Sequence, residues 1–294
     1  MASNVKTFDS RLPIRLHNVA CIYCGDPLIK GENCSKEHVV GRNFVPKHEM
    51  LGQWNIVALA CISCNNIKAN LEDDISTITL IPEMGENHED IALASISMRK
   101  SHGARSRKTN KPVYESSMER EINLRMGHNA LSSFGLIAPP QIAPDRAELL
   151  ASFHAQGFFY FLSYDEESRS GGYILNHTKI VNIAGRPDWG NQIQISFARL
   201  ASGWPQRIST STANGFFNIA IRKDPSHSAL WSFAVEWNKS FRIIGFFGET
   251  ERSQIYVDSF GSFVWKNISP TLRIREEIPI KDEDDILFDD TGFE

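Results

Sequence analysis

The feature that most limits what this chain can fold into is a pair of pairs, Cys21-Ile-Tyr-Cys24 and Cys61-Ile-Ser-Cys64, with 36 residues between them. A C-x-x-C turn brings two sulfurs to the same side of the backbone, and two such turns complete a tetrahedral site of four thiolates around one Zn2+. The chain has five cysteines in 294 residues, an odd number, and four of them have this spacing. In a reducing compartment that arrangement argues for metal and against disulfides, and it leaves Cys34 as a packing residue. A closed four-thiolate site has no open position for water. Cys21, Cys24, Cys61 and Cys64 are therefore expected to staple two chain segments through a structural zinc and not to do chemistry themselves.

The N-terminal stretch MASNVKTFDSRLPIRLHN lacks the apolar run of a signal peptide, and no later segment approaches the roughly 18 uninterrupted apolar residues of a membrane helix. A cytoplasmic location away from membranes is the expectation. A hydrophobic content of 41% with 22% charged residues excludes global disorder. The net charge of -4 hides two opposite tracts. Arg99 to Lys111 holds six basic residues and no acid, and Glu276 to Glu294 holds nine acids against one lysine.

These shifts divide the chain into a cysteine-bearing module over 1–75, a basic connector over 76–144, a β-rich domain over 145–280 and an acidic tail over 281–294. The expected class is α+β. Within the first module a helix is expected from Asn65 to Leu71, capped by Asn65 or Ser63. STITLI, at 76–81, reads as a strand, SSMEREINLRMG as an exposed helix and GLIAPPQIAP as a linker. RAELLASFHAQGFFYFLSY has apolar residues at helical spacing. After it, GGYILNHTKIVNIAG, NQIQISFARLA, GFFNIAIRK, LWSFAVEWN, FRIIGFFGE, QIYVDSFGSFVW and LRIREEIPI read as short strands. Together they predict a mainly antiparallel sheet with a helix at its start.

Between the cysteine pairs stand Glu37-His38, in SKEHVVGRNF, and Asn55, and directly after Cys64 come Asn65 and Lys68. This order, Cys21-x-x-Cys24, Glu37-His38, Asn55, Cys61-x-x-Cys64-Asn65-x-x-Lys68, resembles the HNH endonuclease family in its zinc-stapled version, over roughly residues 15 to 75. The resemblance implies a ββα-metal fold in which His38 is the general base, Asn55 orients it, and Asn65 and Glu37 are the protein ligands of a catalytic metal. The chain departs from the family pattern in two places. Asn55 stands one residue further from Cys61 than is commonest, and Gly41-Arg42 replaces the proline that often follows the histidine.

The residue chemistry points the same way. Glu37 and Asn65 offer hard oxygen donors that suit Mg2+ or Mn2+. A histidine with a free pKa of roughly 6.5 can take a proton from water at neutral pH. Lys68 and Arg42 are candidate phosphate contacts. So are Arg105, Arg107 and Lys108, in the stretch SMRKSHGARSRKTNKP, because unopposed cations release counterions from a nucleic-acid backbone. The acidic tail reads either as a solvated segment or, because it embeds an apolar Ile286-Leu287-Phe288, as one that docks and competes with substrate for the basic stretch or the metal.

The expected function is a metal-dependent endonuclease hydrolysing phosphodiesters, with DNA as the expected partner. The β-rich domain would serve targeting or control through a protein partner or ligand, as phage-defence effectors and mobile-element nucleases do by analogy of architecture alone. The alternative is a zinc-stapled nucleic-acid-binding or regulatory protein that does not cut.

Overall fold

A computed structural model of the chain describes residues 12–82, 88–125, 131–269 and 272–289. In chain order the first elements are β1 (Ile14–Arg15), β2 (Cys34–His38), β3 (Ile56–Cys61) and α1 (Ile62–Ile78). β3 lies at the centre of a three-stranded sheet, with β1 parallel on one side and β2 antiparallel on the other. The register of β2 on β3 sets Cys34 opposite Cys61 and His38 opposite Val57. β3 runs straight into α1, so the second cysteine pair occupies the strand-to-helix corner. The cap of α1 is neither Asn65 nor Ser63. It is Cys61, whose sulfur accepts from the Cys64 amide at 3.4 Å.

STITLI does not form a strand. Ser76–Ile78 complete the last turn of α1, and Thr79 caps it. Its β-branched and hydroxyl side chains bond back into the helix, Thr77 Oγ1 to Asp73 O at 3.0 Å and Thr79 Oγ1 to Ile75 O at 2.8 Å, which offsets their weak helix propensity. Next come α2 (Ile91–Gly103), β4 (Met118–Arg125) and β5 (Leu131–Ala138), the last two paired as an antiparallel hairpin. The expected exposed helix at SSMEREINLRMG is thus mostly β4. Cross-strand pairing with 131–138 overrides the Glu121–Arg125 spacing, and the hairpin also absorbs the first half of the expected linker.

The remaining elements are α3 (Pro144–Leu162), β6 (Thr178–Gly185), α4 (Gln192–Ser202), β7 (Gln206–Thr212), β8 (Phe217–Lys223), β9 (Leu230–Trp237), β10 (Phe241–Gly248), α5 (Thr250–Ser259), β11 (Lys266–Ser269) and β12 (Leu272–Ile274). Five of the strands form one antiparallel sheet in the order β6-β10-β9-β8-β7. The expectation of a mixed α+β chain with a mainly antiparallel sheet and a leading helix is met. Two expected strands are helices. NQIQISFARLA forms α4 because Asn191 caps it, accepting from the Ile193 and Gln194 amides, and its buried residues Gln194, Phe197, Ala198 and Ala201 recur at helical spacing. QIYVDSFGSFVW supplies the end of α5. β7, made largely of Ser and Thr, gives no apolar signal and was not among the expected strands.

The five-stranded sheet is covered on both faces. Phe233, Val235 and Trp237 face α3 and the cysteine-bearing segment, while Leu230, Ala234, Ile244 and Phe246 face α4 and α5. The first core runs without interruption from Cys21, Val39 and Trp54 through α3 to Phe217 and Trp237, so residues 12–82 and the sheet share one interior. Specific bonds hold the join. Trp54 Nε1 donates to Ser211 O at 2.9 Å, and Gln156 Nε2, on α3, donates to Ile22 O at 2.9 Å. Gly157 is small because a Cβ there would meet Val39.

The tail docks, but on the far face of the sheet. Leu287 is 2% exposed against the second core, Arg222 donates to Leu287 O, and Arg242 pairs with Asp285 and Glu236. The expected contact with the basic stretch or metal cleft is therefore replaced for 282–289, because the buried arginines of the sheet attract these carboxylates and carbonyls. Asp290 and the residues after it lie outside the described residues. Among the described residues, no helix is long and apolar enough to cross a membrane.

Candidate metal centre and adjoining cleft

The sulfurs of Cys21, Cys24, Cys61 and Cys64 all lie within 4.8 Å of one another. Cys24 Sγ and Cys61 Sγ are 3.8 Å apart, which matches the edge of about 3.8 Å in a tetrahedron with Zn–S bonds of about 2.3 Å. Gly25 closes the first turn in the left-handed region at φ 82°, and its amide bonds Cys21 O at 3.0 Å. The Tyr23 amide points at Cys21 Sγ, 3.5 Å away.

The protonation chemistry of the cluster also fits a cation. A hydrogen bond from Cys64 holds the Cys21 thiol down at about 5, burial pushes Cys24 up to about 12, and the bond to Cys21 drives Cys64 upward. Left to themselves, these sulfurs stabilise one thiolate at the expense of its neighbours, and a divalent ion would let all four ionise. The cluster can hold a metal ion such as zinc. Cys34 lies outside it, with its sulfur against Ile29 O.

Beside this cluster, β2, α1 and α2 line a cleft of about 630 Å³. Its walls include Glu37, His38, Arg42, Asn65 and Lys68, so five candidates expected from sequence meet in one place. His38, the last residue of β2, is half-buried. Burial, followed by the charges of Arg42, Lys36 and Lys68, lowers its pKa to about 4, so the imidazole is neutral at physiological pH. Asn65, on the first turn of α1, donates through Nδ2 to Ser35 Oγ at 2.8 Å, and its carbonyl oxygen is the atom suited to a cation.

Glu37 is 3% exposed. Its Oε1 accepts from Tyr23 Oη at 2.9 Å and from Lys68 Nζ at 2.9 Å. Lys68, expected at a phosphate, is 1% exposed and binds protein oxygens instead: Glu37, Glu72 Oε1 at 2.6 Å and His38 O at 3.2 Å. Burial opposes the charged form of Lys68, but the two carboxylates outweigh it and raise its pKa. Burial likewise pushes Glu72 up, but Lys68 and His154 outweigh that and hold it below its usual range, while in Glu37 burial wins and raises it. The resulting Glu37–Lys68–Glu72 triad ties β2 to α1. Its members depend on one another, since a buried charge left without its partner costs about 3–5 kcal/mol.

Asn55 sits below the cleft. Its amide bonds the main chain of Val40 twice, Nδ2 to Val40 O at 2.6 Å and Oδ1 from Val40 N at 3.2 Å. It shapes the loop leaving His38, and its bonds go to that backbone and not to the imidazole.

Arg105, Arg107 and Lys108 are exposed and lie outside the cleft walls. Arg105 bonds Asn110 O at 3.0 Å, and Arg107 pairs with Asp73 at 3.5 Å. Three residues not singled out from sequence join the site: Glu72, Lys100 and, behind Glu72, the fully buried His154. Glu72 was legible as the i,i+4 partner of Lys68 on one helix. Lys100, on α2, was visible only as one of six cations in the basic run, and His154, on α3, carries no local signal. Family models, curated proteins and solved structures yield no match to this chain.

Proposed function

We propose that the protein is a metal-dependent endonuclease of the HNH type, hydrolysing phosphodiester bonds with DNA as the substrate, and that the four-cysteine cluster holds a structural zinc. The observation that carries this reading is the meeting of Glu37 and His38, on β2, with Asn65, on the first turn of α1 directly after the cysteine cluster, in one cleft.

Oxygen donors at Glu37 and Asn65 suit Mg2+ or Mn2+, and such an ion would supply charge stabilisation at the phosphate. His38, neutral and half-buried, takes the proton of a water whose oxygen bonds to phosphorus as the bond to the 3′ oxygen breaks. Asn55 holds the loop that fixes where His38 points. Lys68 keeps the buried Glu37 carboxylate compensated.

One observation favours the second reading, a zinc-stapled nucleic-acid-binding protein that does not cut: Glu37 already accepts from Tyr23 and Lys68. Incubating supercoiled plasmid with the purified protein and Mg2+ or Mn2+ separates the two. Conversion to open circles by the wild type and not by His38→Ala supports the endonuclease, and an intact plasmid in both cases supports the binding protein.

A further inference from the structure

Lys100 belongs to α2, outside the segment that carries the cysteines, yet it lines the same cleft as His38 and Asn65. Its ammonium donates to Asn43 O at 2.6 Å and to Ser76 Oγ at 3.0 Å, both neutral oxygens. Among the described residues no carboxylate pairs with it, and Asp73 and Glu72 act on it only from a distance. The contrast with Lys68 is sharp, since Lys68 has a carboxylate on either side. Lys100 is half-buried, and its burial lowers the pKa to about 8 against the partial opposition of the more distant Asp73 and Glu72. Such a placement costs free energy that an arriving anion recovers, and an ammonium with three N–H groups has one left over after two bonds. An under-compensated charge on a cleft wall is a candidate for ligand binding.

We propose that Lys100, together with Arg42 on the loop after His38, is the phosphate anchor of the cleft and takes the backbone phosphate of a nucleic acid. The inference rests on the nucleic-acid reading above and moves the principal contact from Arg105, Arg107 and Lys108 to a residue inside the site. Arg105 and Arg107 are already engaged by Asn110 and Asp73, whereas Arg42 is exposed at the cleft wall. The anchor also bridges two parts of the proposed chemistry, since Asn43 follows His38 by five positions and Ser76 lies in the last turn of α1, the helix whose first turn carries Asn65.

The test uses full-length protein carrying His38→Ala, with no divalent ion added, and a fluorescently labelled short DNA duplex whose binding is followed by anisotropy over a range of salt. Lys100→Gln, which keeps a donor for Asn43 O, is expected to weaken binding about tenfold at low salt and to reduce the slope of log K against log salt by about 0.9. Lys100→Arg should retain both affinity and slope, and Arg42→Gln should reproduce the loss of slope. In case Lys100→Gln does not fold, acetylation of the unsubstituted protein, read by mass spectrometry, should show Lys100 protected about fivefold or more by duplex. Wild-type affinity and slope in Lys100→Gln, equal labelling of Lys100 with and without duplex, or no binding of duplex by the parent protein would each overturn the proposal. Plasmid nicking is scored separately. Its absence takes down the endonuclease reading while leaving the anchor to stand or fall on binding.

Discussion

The carboxylate of Glu72 lies directly against the α-carbon of Gly41: a Cβ built on Gly41 would overlap Glu72 Oε2, and the Gly41 amide donates to Glu72 Oε1 at 3.1 Å. Gly41 is therefore glycine because of its neighbour and not because of its own dihedral angles. Gly41→Ala should push Glu72 off Lys68 and lower stability by about 1–3 kcal/mol, the range for overpacking a closed site. In a Glu72→Ala background the same substitution should cost much less. Chemical denaturation of the four proteins of this cycle measures the coupling, and additive costs would deny the contact.

His38→Ala should reduce plasmid nicking by at least about 100-fold, the low end of what a positioned base contributes. Metal content and melting temperature should be unchanged, because His38 is not a ligand of the cysteine cluster. Because burial and the nearby cations hold His38 down to about 4, nicking should persist as pH is lowered through 6 and fail only on approaching 4. A profile with its acid limb near 6.5 would place the base elsewhere.

Cys24→Ser should lose bound metal, measured by elemental analysis against the wild type. Its structural effect should not stop at residue 75. Cys21 and Ile22 belong to the core that continues through Phe153 and Phe158 to Phe217, so thermal unfolding should shift as one transition of the whole chain. Two separated transitions with the upper one unmoved would show that the sheet folds independently.

His154 is 0% exposed, and burial, opposed only in part by Glu72 at 3.7 Å, lowers its pKa to about 4. Its folded pKa is below the unfolded value of about 6.5, so between those values the unfolded chain binds a proton that the folded chain refuses. Stability is thus complete above pH 6.5 and falls as pH drops toward 4, by up to about 3 kcal/mol from this residue, at 1.36 kcal/mol per unit. His154→Leu should flatten the part of the stability curve between pH 6.5 and 5, as measured by urea unfolding at several pH values.

Ending the chain after Ile280 should destabilise the protein and not activate it. Truncation uncovers the pocket of Leu287 and removes Asp285 from Arg242, which is 2% exposed and keeps one carboxylate, Glu236, and its stack on Trp189. A fall in melting temperature with unchanged DNA affinity at low salt is expected. A gain in affinity would restore the tail to the role of a competitor for the nucleic-acid site.

Local geometry was determined by the sequence alone wherever spacing along the chain equals spacing in space. The two C-x-x-C pairs needed only their turns to present sulfurs together, Asn65 needed only to follow Cys64 at the start of α1, and α3 needed only its apolar spacing and Pro144. The strands β8, β9 and β10 were equally legible, since they are covered on both faces and rich in aromatic and β-branched residues. Tertiary structure decided the rest, because the deciding partner lay far along the chain. Residues 131–138 turned Met118–Arg125 into a strand, and hydroxyl back-bonds with burial kept Ser76–Ile78 in the helix. Glu37 and Glu72, arriving from a strand and a helix, converted Lys68 from a surface cation into a buried cross-link. The basic stretch was one charge run in sequence, but α2 directs Lys100 into the cleft while Arg105, Arg107 and Lys108 remain outside it, and the direction of a side chain is a property of packing that charge counting does not contain.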